Sequence, residues 1–392
     1  MIKDLKKILK NNKLIFELNA RYKCKKLKAQ YYEILNHYQE KRTQNDFRFL
    51  MEQKGFTQKW SSKFNNKKLH IFYLGTNELQ DKSGFIQALE KVAKVSLFIK
   101  GDNSYGQYRI DQNPISSNKK RLFELFDELN NSNQLPDILL MQTWEWRVGL
   151  STLVDLKAKY KSIKIINICM DDRHAFYNYG DPESGTSGLI PVLDLVLESA
   201  EEIVEWYIKE NVPALYFPEA SSSDFYFPID IEKKYDVGFV GASYGVRKKI
   251  VDALIENNIS VKAYGNGWNA GILPLKDTNT FFNECKIILG VGTVGYCEDF
   301  YALKLRDFDA PLSGSCYVTH DNSDLHTLFE KGKEVVLCKN INEYVEKIKY
   351  LLLNQDELRH ISKLGLKRAL SEHTYEERFK KLFKVLGVKI NE

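Results

Sequence analysis

The sequence predicts an α/β chain of two doubly wound parallel sheets, and three observations predict it. From residue 68 onward, short apolar runs alternate with amphipathic stretches. The alternation pauses once, at residues 213–234, where Pro213, Pro218, Pro228 and the run Ser221, Ser222, Ser223 punctuate the chain, and then resumes. At 392 residues the chain also exceeds the roughly 250–300 residues at which a single hydrophobic core stops growing.

In the first series, residues 70–75 (HIFYLG), 95–99, 137–141 (DILLM), 163–169 and 194–198 are short and mostly apolar, the pattern of buried strands. Residues 85–93, 119–130, 147–160 and 201–211 carry helical periodicity between them. Strands alternating with helices at this spacing make βαβ units, with helices on both faces of a parallel sheet. Proline and serine at 213–234 mark the link between domains. The second series places strands at 236–240, 260–264, 287–291, 315–319 and 334–337, and closes with helices at 341–353, 355–371 and 375–386. The expected organisation is a basic helical extension (1–65), a first Rossmann-like domain (66–218), a linker (219–234), a second Rossmann-like domain (235–374) and a C-terminal helix (375–392). Two such sheets facing one another would leave a cleft at the C-terminal strand ends, where open α/β sheets bind ligands.

Charge is unevenly spread. Residues 1–68 hold 18 Lys plus Arg against 6 Asp plus Glu, whereas the remainder holds 39 against 46. A basic arm on a mildly acidic body suits an anionic partner. That partner would be an inner-leaflet surface, where each nearby cation contributes about 1 kcal/mol, or an anionic polymer. Leu5, Ile8, Leu9, Leu14, Ile15 and Leu18 recur at helical spacing in the arm, so a solvated or dimerising helix is the alternative. No nucleic-acid partner is expected. No stretch approaches the ~18–20 apolar residues of a membrane span, and the first residues lack a secretory apolar region. The expected location is therefore the cytoplasm, with a peripheral contact at the inner membrane as an extension of it. The six cysteines show no C-x-x-C pair and read as reduced core thiols.

The second series also carries the motifs. Residues 235–241 (YDVGFVG), 264–268 (YGNGW), 305–314 (LRDFDAPLSG) and 328–336 (LFEKGKEVV) follow one another at βα spacing. Glycine-rich strand ends that lead into helices present unpaired N–H donors and partial positive charge, which suits a diphosphate. A nucleotide sugar further needs a carboxylate for its ribose and an apolar slot for its base. On this reading Gly241 and Ser243 form a phosphate-side turn, with Arg247 on the following helical turn. Gly292 and Thr293, within the G-x-G-x-x-G of residues 290–295, let backbone approach the ligand. Lys304 and Arg306 would offset the charge of a leaving diphosphate. In the first series Asp171, Asp172 and His174 follow a strand directly, placed to remove a proton from a hydroxyl; aspartates there also cap helices. Two or three such ligands make no confident metal site, and none is expected.

A competing pattern overlaps the phosphate turn. Residues 241–245 (GASYG) match G-x-S-x-G between a strand and a helix, the setting of a hydrolase nucleophile elbow. Ser243 would then be the nucleophile, with Asp299 or Asp309 as acid and His320 or His326 as base. No HGGG-like oxyanion loop accompanies it.

Residues 235–383 resemble the C-terminal domain of CgeB-like proteins, glycosyltransferase family 1 or 4-like members of the GT-B fold. The segments that carry the likeness are DVGFVGASYGVRKK, LKLRDFDAPLSGSCYVT, LFEKGKEVVLC and EHTYEERFKKLF. A weaker likeness covers IINICMDD and YFPEASSSDFYFP upstream. The resemblance implies transfer of a hexose-type sugar from a nucleoside diphosphate donor, of UDP or GDP type, to a carbohydrate or glycoconjugate acceptor. It implies no other cofactor and no metal. The donor would sit on the second domain and the acceptor on the first. Tyr264, Gly265 and Trp268 would line the base pocket, and Asp309 would stand where the family holds ribose with glutamate. The family's second glutamate is Tyr301 here, so retention of configuration is not implied, and a binding module without turnover is a further alternative.

Overall fold

The computed structural model describes residues 13–42, 45–109, 112–178 and 180–390. The chain divides into two compact units, one taking in His37–Phe225 with Ser371–Glu392, the other Met1–Asn36 with Tyr226–Leu370. Each is built on one parallel sheet, as the alternation predicts.

In the first unit the strands are β1 (His70–Leu74), β2 (Lys94–Leu97), β3 (Ile138–Met141), β4 (Lys164–Cys169), β5 (Leu195–Glu198) and β6 (Ala214–Tyr216), in the order β2-β1-β3-β4-β5-β6. All of β1, β3 and β5 is buried, as near-continuous apolar strands covered by helices on both faces should be. Two expectations change here. Residues 214–216 pair with β5 through Val196 and Ala214, so a sixth strand enters what read as punctuation. The helix expected over 147–160 is two, Glu145–Val148 and Leu150–Lys159, divided at Gly149. Gly149 has φ +80°, and a Cβ there would lie 2.8 Å from Ile115 Cγ2, so the break needs glycine. The C-terminal helix Tyr375–Val385 also belongs to this unit, packing Phe379 against Phe85 and Phe217. Buried Arg378 fastens it by donating to the carbonyls of Pro218, Glu219 and Glu372.

In the second unit the strands are β7 (Tyr235–Val240), β8 (Val261–Tyr264), β9 (Cys285–Leu289), β10 (Cys316–His320) and β11 (Val336–Cys338), ordered β11-β10-β9-β7-β8. Val237, Phe239, Ile250, Leu254, Ile287 and Val318 centre its core. In both sheets the winding reverses after the first strand, between β1 and β3 and between β7 and β9. Such reversal points open a crevice at the C-terminal strand ends.

Along the helix Lys13–Glu40 the chain passes from one unit into the other, dividing at Asn36. Tyr31 packs on Phe300 with ring centres 5.0 Å apart in the second unit, while Tyr38 stacks on Trp206 at 5.3 Å in the first. Leu5, Ile8 and Leu9 lie outside the described residues, as do the side chains of Leu14 and Ile15; Leu18 is exposed. The expectation of six reduced thiols fails for one pair: Cys24 on this helix is joined to Cys297. A separation of 273 residues left no local spacing by which to read it. Cys169, Cys285, Cys316 and Cys338 are free and buried.

Candidate functional site

The reversal point of the second sheet is a polar, cationic site. Gly241 directly follows β7, and its N–H donates to Tyr264 O at 2.8 Å. The helix Val246–Glu256 follows and brings Arg247 back to the strand end. From the helix Arg306–Leu312, Arg306 donates through Nη1 to Val240 O at 2.7 Å and through Nη2 to Val291 O at 3.3 Å. Arg306 therefore straddles the point where β7 and β9 part. Its guanidinium also lies 5.0 Å from the ring centre of Phe239.

Arg247 is buried and donates to Ala242 O at 3.2 Å, with Tyr244 beneath its guanidinium at 4.2 Å. Burial, and then the charge of Arg306, push its pKa down to about 10. The Nε atoms of both arginines are enclosed without a hydrogen-bond partner. Two like charges held together, one of them buried, are costly unless an anion joins them. His320 closes the back of the site, its ring 5.0 Å from that of Tyr301 and 5.4 Å from that of Tyr344. Burial and the neighbouring Arg247 push its pKa down to about 4, so the imidazole is neutral. Nδ1 of His320 and the hydroxyl of Thr293 are likewise enclosed and unpartnered.

Glycine makes this convergence possible. A Cβ on Gly241 would lie 3.1 Å from Arg306 Nη1 and 3.5 Å from Arg247 Nη1. Gly265 has φ +130°, and its Cβ would meet Gly241 O at 2.4 Å, so the loops after β7 and β8 touch through backbone. Trp268 locks them, its Nε1 donating to Gly241 O at 2.7 Å while its ring packs on Phe239. Tyr264 packs edge-on against Phe281 at 4.9 Å. The geometry gives Trp268 and Tyr264 the work of holding the turn.

The residues around Arg306 sort differently from the motif. Asp307 is fully buried and accepts from Tyr317 OH at 2.5 Å and from Lys304 N at 2.7 Å, and burial raises its pKa. Asp309 lies on the first turn of the same helix, 6% exposed. Lys304 precedes that helix, half-buried. Gly292 sits at the base of the loop that returns through Ala302, whose N–H donates to Gly292 O. The pairing of Asp307 with Tyr317 and the neutral state of His320 were missed by motif reading; an aspartate paired with a strand tyrosine leaves no spacing signature.

Ser243 has no hydrolase setting. Among the described residues no imidazole is hydrogen-bonded to it. The φ +60°, ψ −136° conformation that an elbow gives its nucleophile is taken instead by Gly245. His326 is engaged with Asp321 at 2.7 Å.

Asp171, Asp172 and His174 lie in the first unit, after β4. Asp171 O accepts the N–H of His174 and of Ala175, opening the short helix Asp172–Ala175. Asp172 is buried and accepts from Cys169 Sγ at 2.8 Å, Thr186 Oγ1 at 2.6 Å and Tyr207 OH at 2.7 Å. Burial, and then the charge of Asp172, raise the pKa of Glu198 well above the ordinary carboxylate range. Asp172 thus anchors the helix, while half-buried Asp171 and His174 are the accessible pair. Ligand atoms of Cys169, Asp172 and Glu198 fall within 4.8 Å of one another, the grouping among the described residues that could hold a metal ion. The donors already seated on Asp172, and the raised pKa of the Cys169 thiol, argue for protons there instead.

Residues 247–384 match the family model described as "Glycosyl transferase-like". That match begins at Arg247 and takes in Arg306, His320 and the end of the chain's last helix. No curated protein matches the chain in sequence. Solved structures do match in shape. Sucrose-phosphate synthase from Thermosynechococcus elongatus aligns with a TM-score of 0.58 at 9% identity, over 82% of this chain and 99% of that one. Anabaena Alr3699/HepE in complex with UDP gives 0.55 at 11% identity, over 81% and 100%. A glycosyltransferase from Rickettsia africae ESF-5 gives 0.56 at 11% identity, over 82% and 98%. The fold is GT-B. Among the described residues no helix is long and apolar enough to cross a membrane.

Proposed function

We propose that the protein is a glycosyltransferase that moves a sugar, of hexose type, from a nucleoside diphosphate donor to a carbohydrate or glycoconjugate acceptor. The observation that carries this is the convergence of Arg247 and Arg306 on Gly241 at the β7/β9 reversal point, with enclosed nitrogens that no described residue satisfies. The family match over this segment and the UDP held by the HepE structure support the same assignment.

In the reaction, an acceptor hydroxyl oxygen bonds to the anomeric carbon as the bond from that carbon to the phosphate oxygen breaks. The electron pair leaves on the nucleoside diphosphate. Negative charge grows on that group, and fixed guanidinium groups stabilise it without rearranging. Arg247 and Arg306 take this role, with Thr293 and the backbone at Gly241 and Gly292 beside them. Asp309 is assigned the ribose hydroxyls. Asp171 and His174 are assigned the proton of the acceptor hydroxyl, and Asp172 positions them.

The test is a thermal-shift panel of nucleoside diphosphates followed by donor turnover. A ligand at 100 times its Kd adds about 2.7 kcal/mol of stability. The expected result is a shift with UDP or GDP and turnover that Arg247→Ala and Asp309→Ala abolish and Ser243→Ala spares. Ester cleavage that depends on Ser243, without nucleotide binding, would establish the hydrolase instead. Nucleotide binding without turnover would leave a binding module.

The N-terminal helix adds a proposed anionic contact. Arg21, Lys25 and Lys28 line a groove of about 980 Å³ with Lys248 and Lys249. Asp299, Asp252 and Glu298 answer Lys28, Lys248 and Lys249 respectively. Arg21 and Lys25 have no carboxylate among the described residues. Flotation with anionic vesicles that Lys25→Glu weakens would support a membrane contact, and unchanged flotation would remove it.

A further inference from the structure

The first sheet has its own reversal point, between β1 and β3, and it is roofed by polar side chains. Gln107 Nε2 donates to Gly75 O at 3.2 Å and to Gln142 O at 2.8 Å, the carbonyls that directly follow the two strands. Thr143 Oγ1 donates to Gln107 Oε1 at 2.7 Å. Gln107 thus occupies the place here that Arg306 occupies in the other sheet. A neutral amide at this point brings no charge to the crevice; the charge comes from beside it.

Arg147, on the short helix after β3, is 6% exposed. Its guanidinium carbon lies 3.9 Å from the ring centre of Trp144 and 4.7 Å from that of Trp146. No nitrogen of that guanidinium is hydrogen-bonded to a described residue, and Nε and Nη1 are enclosed. The indoles offer cation–π attraction but accept none of its N–H bonds. Its electrostatic surroundings are mixed: Asp171 opposes the charge, while exposed Arg109 adds to it, and burial together with Arg109 pushes the Arg147 pKa down to about 9. Arg109 itself lines a cavity of about 780 Å³ with Thr76, Gln107, Tyr108 and Lys100, and the Thr76 hydroxyl is enclosed without a partner. A buried guanidinium with no bonded acceptor is costly to maintain. It is also the side chain whose planar fork suits a carboxylate or phosphate.

We propose that Arg147, assisted by Arg109, binds an oxyanion carried by the acceptor, so that the acceptor is an anionic glycan or glycoconjugate bearing a uronate carboxylate or a phosphate. The word acceptor rests on the glycosyltransferase reading above; the oxyanion site does not.

The packing of Arg147 against both Trp144 and Trp146 supplies a readout. The full chain is titrated with sodium glucuronate, with glycerol 1-phosphate and with neutral glucose at constant ionic strength, following tryptophan emission, and separately with UDP and GDP by thermal shift. The expected result is saturable binding of one of the two anions and none of glucose, with affinity lowered about tenfold or more in Arg147→Gln. Arg147→Lys, which keeps charge without the fork, should fall between. Response to glucuronate alone assigns a carboxylate, and response to glycerol 1-phosphate alone assigns a phosphate. Should Arg147→Gln fail to fold, exposed Arg109→Gln carries the same prediction. Equal response to glucose, or anion binding that neither arginine substitution weakens, overturns the proposal. Anion binding without nucleotide binding would leave this site standing while removing the glycosyltransferase reading, and the reverse result would do the opposite.

Discussion

Arg247 and Arg306 approach the same missing side chain: a Cβ on Gly241 would lie 3.5 Å from Nη1 of the first and 3.1 Å from Nη1 of the second. On the proposed glycosyltransferase reading, these two guanidinium groups, gathered around a glycine at a strand end, grip the donor diphosphate. Each is expected to contribute a charge-assisted hydrogen bond, about 1.5–3 kcal/mol. Arg247→Ala and Arg306→Ala should therefore each weaken nucleoside diphosphate binding by about tenfold to a hundredfold, measured by calorimetry. Arg306→Ala should also lower the denaturation midpoint, because its bonds to Val240 O and Val291 O tie β7 to β9. Equal midpoints for the two variants would show that this tie carries no stability.

The contact between the loops after β7 and β8 predicts a backbone effect distinct from binding chemistry. In Gly265→Ala the new methyl meets Gly241 O at 2.4 Å in a residue with φ +130°. Neither atom can swing away as a flexible side chain could. Gly265→Ala should destabilise by about 1–3 kcal/mol and weaken nucleotide binding through displacement of Gly241. Gly271→Ala, with φ +70° and open space around its Cβ position, should cost less and leave binding unchanged. Urea titrations of the pair check both statements.

His320 predicts an acid limb in stability. Its pKa is about 6.5 when unfolded and is pushed down to about 4 by burial and Arg247. Between those values the unfolded chain binds a proton that the folded one does not, so stability is complete near neutral pH and is lost as pH falls through the window. The loss amounts to about 3 kcal/mol by pH 4. His320→Phe keeps the ring between Tyr301 and Tyr344 and removes the titration. The difference in unfolding free energy between wild type and variant should therefore change across pH 6.5 to 4, and a constant difference would refute the neutral buried imidazole.

The strands were legible because burial on both faces leaves few polar residues in them, and the second sheet was legible twice, by pattern and by motif. What escaped has specific causes. Residues 214–216 form an edge strand only through pairing with β5, and three residues carry no period of their own. Gly149 reads as an ordinary interior glycine until its φ is known. Arg247 and Arg306, proposed here to hold the diphosphate, stood out because both sit in motifs next to strand ends. Trp268 was visible as a residue, but its bond to Gly241 O was not. Gln107 and Arg147 were invisible because their significance lies in what surrounds them: two strand-end carbonyls for one, two indoles and no acceptor for the other. Asp172 was singled out beside Asp171, and only the donors Cys169, Thr186 and Tyr207 separate an anchoring carboxylate from an accessible one.

That separation yields the last prediction. Glu198 accepts from the N–H groups of Ser199 and Ala200 through Oε1, and burial with the nearby Asp172 charge raises its pKa well above the ordinary carboxylate range. The unfolded carboxyl ionises near pH 4.3. Above that pH the folded chain retains a proton the unfolded chain releases, so this group's contribution is full at low pH and falls as pH rises, by about 1.4 kcal/mol per unit until the folded pKa is reached. Glu198→Gln supplies a neutral side chain that accepts and donates in the same places without a proton to lose. Its stability relative to wild type should rise as pH climbs above the ordinary glutamate range in urea titrations. Glu198→Ala should show the same relative rise with pH, offset downward by about 1–3 kcal/mol for the backbone donors left without an acceptor. Parallel profiles for wild type and Glu198→Gln would mean that Glu198 is ionised in the fold, and that the Asp172 cluster carries a second negative charge in need of a cation.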